Sequence, residues 1–210
     1  AKGKLAEFYA EQQNYPKAIQ LTRQAIFYAQ PYLVAPHGLA PHDLALHELE
    51  FQTYPELLFR FEQQLGKYFN QQGLAEKAVE KYFNQQELAE KAIEAYKRAI
   101  NHLQQVHNRY SSVSQSFLDR EEEVFYELTN LLLQQFPKGS ATDKQHRLTE
   151  VIDTIESFKM AELRKYFQDE CIVPQPEDAI KVDEILSSNT AVFYYLVLDN
   201  RVELLLITNQ

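Results

Sequence analysis

Apolar residues recur at helical spacing through most of the first 170 positions, and the pattern is broken at only a few places. Leu5 to Gln30 reads as two short helices joined at Gln13-Asn14-Tyr15, with Pro16 in the first turn of the second, where its missing N–H costs nothing. Ala18, Thr22 and Ala25 fall on one face and let helices approach closely, while Leu5, Tyr9, Ile19 and Ile26 supply bulk. Three Pro and one Gly make residues 31–43 a connector. A helical pattern runs from Leu44 to Phe51, and Pro55 restarts it. Leu58, Phe61, Leu65 and Phe69 then form one stripe around Gly66, whose bare backbone implies a second helix packed against it.

The chain next repeats itself. Residues 67–80 read KYFNQQGLAEKAVE and residues 81–94 read KYFNQQELAEKAIE, differing only at Gly73/Glu87 and Val79/Ile93. Fourteen residues at ~3.6 per turn make nearly four whole turns, so the unit lengthens a helix without rotating its buried face. Gly73 marks the expected turn at Gln72-Gly73, followed by a long helix from Leu74 to His107. In the alternative, the first helix runs through Gly73 and turns at Gln85-Gln86-Glu87.

Further on, a helix starts near Ser116 with Asp119 as its capping partner, and Val124, Leu128, Leu131 and Leu132 form its buried face. Residues 136–141 are a loop, and Thr142 with Gln145 reads as a capping box. The long helix that follows carries Leu148, Ile152, Ile155, Leu163 and Phe167 on its apolar side. Then the period changes. Ala191 to Leu198 and Arg201 to Thr208 are strands separated by Asp199-Asn200, which suits a two-residue hairpin. Both are apolar at nearly every position, which predicts burial on both faces.

Composition narrows the function. The chain has 210 residues, enough for one large or two small domains, and begins with Ala, as a piece of something longer would. It carries 21 basic against 30 acidic residues, a net charge of −9, with no basic cluster for phosphates, so nucleic acid is not an expected partner. No apolar run approaches the roughly 20 residues of a membrane span. One Cys excludes an intrachain disulfide and suits a reducing, cytoplasmic setting. That residue, Cys171, follows Asp169 and Glu170 near a helix end, where acidity and helix polarity raise a thiol pKa, so it reads as structural rather than nucleophilic. His37, His42 and His47 stand five apart in the connector, the wrong spacing for two metal ligands on one helical face. His102 and His107 read as surface residues. No catalytic residue, metal site or cofactor is expected.

Two resemblances give these patterns a context. LGKYFNQQGLAEKAVEKY resembles a tetratricopeptide repeat, with Leu65, Gly66, Phe69, Ala78 and Tyr82 on signature positions and Ala92, Tyr96 and Ala99 matching the second helix. The segment from Leu5 fits more loosely. Residues 151–172 with 189–208 are similar to the start of a CHAT domain, a caspase-like domain that follows tetratricopeptide arrays in bacterial proteins. Residues 117–134 resemble that family's bridging helix. The resemblances imply a mainly α fold of antiparallel helical hairpins in a right-handed stack, followed by a C-terminal β-hairpin. They imply repeat-like hairpins over 1–108, bridging helices over 109–170 and the start of a CHAT-like domain over 171–210. Catalytic residues of that family lie on later strands, so none is carried over.

The implied function is a non-catalytic interaction and regulatory scaffold. Its partners would be a protein or peptide in a groove lined by Arg60, Gln63, Lys67 and Asn70, and its own downstream CHAT domain. Two other classes stay open: a free-standing adaptor that forms homo-oligomers through Ala191 to Thr208, and a cysteine hydrolase that uses Cys171.

Overall fold

Amphipathic helices joined by short loops must pack antiparallel to bury their stripes, and this chain forms such hairpins in series. The computed structural model describes residues 1–30, 32–34, 50–52, 54–78, 85–109, 115–136, 140–167, 189–198 and 201–208. Along them run α1 (Lys2–Glu11), α2 (Tyr15–Ala29), β1 (Tyr32–Val34), β2 (Glu50–Gln52), α3 (Pro55–Ala78) and α4 (Gln85–Arg109). After these come α5 (Gln115–Gln135), α6 (Ala141–Phe167), β3 (Ala191–Leu198) and β4 (Arg201–Thr208). The protein is thus mainly helical and ends in an antiparallel β-hairpin. It divides into two compact units, Ala1–Glu150 and Val151–Gln210.

In the first unit the α1–α2 turn falls where expected. Gln13 takes the left-handed conformation (φ 59°). The Gln13 N–H donates to Ala10 O and the Asn14 N–H to Tyr9 O, the bond pair that closes a helix C-terminus. Asn14 then caps α2 by accepting from the Lys17 N–H, with Pro at the start of the helix. Ala18, Thr22 and Ala25 are buried together as their spacing implied. Gly3 lets α1 approach α3, since a Cβ there would stand 2.5 Å from the Phe61 ring.

α3 and α4 form the central hairpin. Arg98 grips the buried carboxylate of Glu62 with two bonds of 3.0 and 3.1 Å. Tyr96, fully buried, lies over the bare backbone of Gly66, where a Cβ would meet its ring at 2.7 Å. The turn expected at Gln72-Gly73 is absent: α3 continues through Gly73 to Ala78, and α4 begins at Gln85. This agrees with the alternative in keeping Gly73 helical. It differs in that Gln85-Gln86-Glu87 form the first turn of α4, where Glu87 favours the helix N-terminus and pairs with Lys91. Periodicity could not choose, because a shift of four turns keeps the same face inward. Tertiary burial chooses: Leu88 is buried, its counterpart Leu74 in the first copy is exposed, and Gly73 faces Leu88.

Helix partners define two layers in this unit. Glu7 of α1 accepts from Gln64 of α3, and Gly3 abuts Phe61, so both helices run the same way. Gln63 and Lys67 of α3 reach Arg120, Glu123 and Glu127 of α5, again in parallel. Across the other layer, Glu90 and Lys97 of α4 bond Arg147 and Glu150 of α6 in the same order. Alternate helices are therefore parallel and successive ones antiparallel, as in stacked helical hairpins.

Three expectations need correction. Glu50 to Gln52 is a strand, not the end of a helix, and pairs antiparallel with Tyr32–Val34 inside the expected connector. The aromatic Phe51 and pairing with the Val34-containing strand override the weak helical pattern there. The α6 cap is Ser140 with Asp143, not Thr142 with Gln145. The Ser140 N–H and hydroxyl donate to Asp143, and the Asp143 N–H donates back. On α6 the buried positions are Val151, Thr154 and Ile155, whereas Leu163 is exposed. The helix at Leu44, the Ser116–Asp119 cap, Tyr82, Phe83 and Asp199-Asn200 fall outside the described residues or side chains. The register Leu198↔Arg201 nonetheless leaves two residues between the strands.

In the second unit β3 and β4 pair over eight residues each, from Ala191↔Thr208 to Leu198↔Arg201. Tyr194 and Leu198 are buried, and the Tyr194 hydroxyl donates to Glu156 of α6 at 2.7 Å. The opposite face is exposed among the described residues, so burial on both faces is not what these strands show.

Two glycines separate close approach from helix propensity. Gly66→Ala drives a Cβ into the buried Tyr96 ring and is expected to destabilise the protein by about 1–3 kcal/mol. Gly73→Ala meets only ordinary contact with Leu88 at 3.6 Å, and is expected to stabilise by about 0.5–1 kcal/mol. Urea unfolding of both variants checks the pair, and shifts of the same sign would contradict it.

Candidate functional site

Positions three and four apart on α3 share a face, so Gln63, Lys67 and Asn70 point together towards α5. Gln63 is 2% exposed, and its Nε2 donates to Glu123 Oε2 at 3.1 Å and to Arg120 O at 3.4 Å. Lys67 Nζ lies 2.6 Å from Glu123 Oε1 and 3.7 Å from Glu127 Oε1. Of the four expected groove residues, Gln63 is therefore occupied by the α3–α5 seam, and Lys67 straddles that seam and the surface. Arg60 is exposed, and Asn70 is half-buried one turn beyond Lys67.

Asn70 lines a cavity of about 210 Å³ at the end of the seam, with Phe69 and Gly73 of α3, Gln85 and Ala89 of α4 and Leu131 of α5. Its rim is made of side-chain amides, Asn70, Gln85, Gln134 and Gln135, over an apolar floor. Gln85 Nε2 is buried without an acceptor. Amides offer both donors and acceptors, so this rim suits neutral polar groups such as a peptide backbone more than an ion.

The seam also holds an unusual carboxyl. Burial drives the Glu127 pKa up; Lys67 pulls it down, Glu123 pushes it up again, and the result is about 7. Glu127 Oε2 is buried in the seam, and Lys67 and the Tyr96 hydroxyl beside the carboxyl hold its pKa down against that burial. Across the seam the Tyr96 hydroxyl is also buried, set against Glu127. Burial and the neighbouring Glu127 raise its pKa far above that of a free phenol. The groups facing Glu127 are thus Lys67 from α3, Tyr96 from α4 and Glu123 from its own helix. Such a carboxyl can take or release a proton near neutrality. No Cys stands beside it among the described residues.

The remaining expectations fall as follows. His102 and His107 are half-buried rather than superficial. Burial lowers the His102 pKa, and His107 Nε2 lies 3.0 Å from the buried Glu121 of α5, tying the end of α4 to α5. Tyr68, Phe69 and Tyr96 are core. Cys171, His37, His42 and His47 lie outside the described residues. Among the described residues no group of three or more His, Cys, Asp or Glu is placed to hold a metal, and no helix is long and apolar enough to cross a membrane. No sequence signal marked Glu127, because its single polar position on an apolar face looks like any exposed helix residue until α5 is docked.

Compared with known proteins, the chain matches no family model, no curated protein and no solved structure.

Glu127 sets a pH dependence of stability. Its folded pKa lies above the ordinary 4.5, so the folded state holds the proton more tightly than the unfolded chain. The stabilisation is full below about pH 4.5 and is lost as pH rises to about 7. Glu127→Gln keeps a neutral amide in place. It is expected to flatten the loss between pH 5 and 7.5 and to exceed the wild type at pH 8 by about 1–3 kcal/mol. Urea midpoints of both proteins at pH 5 and 8 measure this; an unchanged pH slope in the variant would show that Glu127 is not the titrating group.

Proposed function

We propose that this chain is a non-catalytic protein-interaction and regulatory scaffold, built of tetratricopeptide-like helical hairpins joined to the opening hairpin of a CHAT-like domain. The observation that carries the reading is the parallel alternation of α1, α3 and α5 with antiparallel partners between them. Stacking of this kind leaves one stripe of each helix open for a ligand. On α3 the stripe is Leu57, Arg60, Gln64, Lys67, Gln71 and Leu74, spaced three and four apart. Leu57, Arg60, Gln71 and Leu74 are exposed, and Gln64 and Lys67 are half-buried.

The stripe has apolar ends with the exposed cation Arg60 between them, while Lys67 is already paired with Glu123 across the seam. It fits a short peptide segment with apolar anchors flanking a carboxylate, and the amide-rimmed cavity beyond Asn70 extends the same surface. The recognition needs neither a cofactor nor a nucleophile. Cytoplasmic residence belongs to the same reading, since a lone thiol persists in a reducing compartment. In a longer parent chain, downstream CHAT-like residues would be a second partner, gated by the scaffold.

A random peptide display selection on the full chain, followed by titration of the enriched peptides, tests the scaffold reading. Arg60→Glu combined with Gln71→Glu, both at exposed positions, is expected to weaken binding at least ~10-fold with little change in thermal midpoint. Enrichment of peptides indifferent to both substitutions, or of none, would remove α3 from the binding surface. A peptide hydrolase activity lost in Cys171→Ala would move the protein to the enzyme class instead.

A further inference from the structure

Side chains of a strand alternate between faces, so the β3–β4 register sorts the hairpin into two chemically different surfaces. One face collects Phe193, Tyr195 and Val197, paired directly with Leu206, Leu204 and Val202. Each of these six is at least half exposed. The other face carries the buried Tyr194 and Leu198 and also both charged residues of the hairpin, Arg201 and Glu203, which pair with each other. Lys159 of α6 lies 4.4 Å from the Tyr194 ring, on the side where Tyr194 bonds Glu156. The charged pair is therefore on the face turned to α6, and the face turned away carries no charge: these six residues, with Ala191 and Thr208 at its edge. A sheet with a helix on one side and hydrocarbon on the other lacks a layer.

We propose that the outer face of β3–β4 is a homodimerisation surface, on which the same face of a second copy stacks. The two-fold axis would lie in the interface across the strands, through the Tyr195–Leu204 pair. Three features select a second copy over another occupant. The face bears no charged side chain, so a like face meets it without burying an unpaired charge. Among the six the side chains also taper, from Phe193 and Leu206 to Val197 and Val202, with only the small pair Ala191 and Thr208 beyond the bulky end. Reversal by the two-fold sets the bulky end over the slender one and fills the ~10 Å between stacked sheets evenly. Finally, six side chains at least half exposed give up on the order of 100 Å² each, about 1,200 Å² over both copies, which reaches the range of stable specific interfaces. The product is a helix–sheet–sheet–helix sandwich closed by point symmetry. It does not depend on the peptide stripe of α3.

Light scattering on the full 210-residue chain, from about 1 to about 200 µM, is expected to give twice the 24.6 kDa monomer mass with a dissociation constant of roughly micromolar order. Leu204 would meet the partner's Leu204 near the axis. Leu204→Glu is therefore expected to raise the dissociation constant at least ~100-fold, and mixing it with Leu204→Lys is expected to restore the dimer. Leu204 points away from α6, and circular dichroism checks that the variant keeps its fold; Val202→Glu at the slender end gives a second variant with the same readout. A wild-type mass that stays at 24.6 kDa throughout the range overturns the proposal. So does a dimer indifferent to both substitutions, since edge-to-edge pairing of strands or docking through helices would survive them. Open-ended growth beyond the dimer would also contradict it. Peptide binding at α3 should be unchanged in all these variants, which keeps this outcome separate from the fate of the scaffold reading.

Discussion

The seating of Tyr96 on Gly66 sets the distance between α3 and α4, and the first unit is arranged around that distance. Only a residue without a Cβ leaves room for the ring, whose atoms stand under 3 Å from the place a Cβ would take. With the backbones this close, Arg98 reaches Glu62 with two bonds, and the buried carboxylate is compensated where an unpaired one would be costly. Ala92, Ala95 and Ala99, all fully buried on α4, continue the narrow seam on either side of the ring. Small residues on one helix and a glycine on the other thus determine where every later helix can dock.

α5 docks on this hairpin through a different balance. Its apolar face, Val124, Phe125, Leu128, Leu131 and Leu132, supplies the driving force, while Glu121, Glu123 and Glu127 are carried into the seam with it. Glu121 and Glu123 find His107, Gln63 and Lys67. Glu127 is the remainder: Lys67 is shared, and Glu123 takes the nearer position at 2.6 Å against 3.7 Å. One cation between two carboxylates leaves the deeper one inclined to keep its proton. Docking of α5 and protonation of Glu127 are therefore coupled through the same lysine.

Local chemistry made much of the helical unit legible before any coordinate was known. The Gln13–Tyr15 break, the small face of α2, the reason for Gly66 and the buried stripe of α5 all follow from rules that act within a few residues. The failures share a physical cause as well. A fourteen-residue duplication gives two turn placements with the same buried face, and only the burial of Leu88 against the exposure of Leu74 decides between them. Tyr32–Val34 and Glu50–Gln52 are short strands whose pairing spans a long separation, which no local window contains. Exposure along α3 was legible in part. Arg60 follows from helical phase alone, but Gln63 could be placed only by knowing that α5 comes to lie beside α3.

The hairpin shows where residue type misleads and register corrects. A strand of unbroken hydrocarbon looks buried on both sides, yet β3 and β4 distribute their side chains so that Arg201 and Glu203 share a face with buried Tyr194 and Leu198. Turning the charged face towards α6 gives that face partners, Glu156 and Lys159 with Tyr194, which water would otherwise supply. Turning the uncharged face outward gives up burial worth roughly 25 cal/mol per Å² of hydrocarbon. That arrangement is stable in isolation only as long as solvent is tolerated on six large side chains. In the helical unit, buried polar groups such as Glu62 and Gln63 are bonded within the fold, and exposed apolar residues such as Phe27 and Leu74 are scattered over different helices. The hairpin instead gathers its exposed hydrocarbon on one face, where no charge stands among the six large side chains.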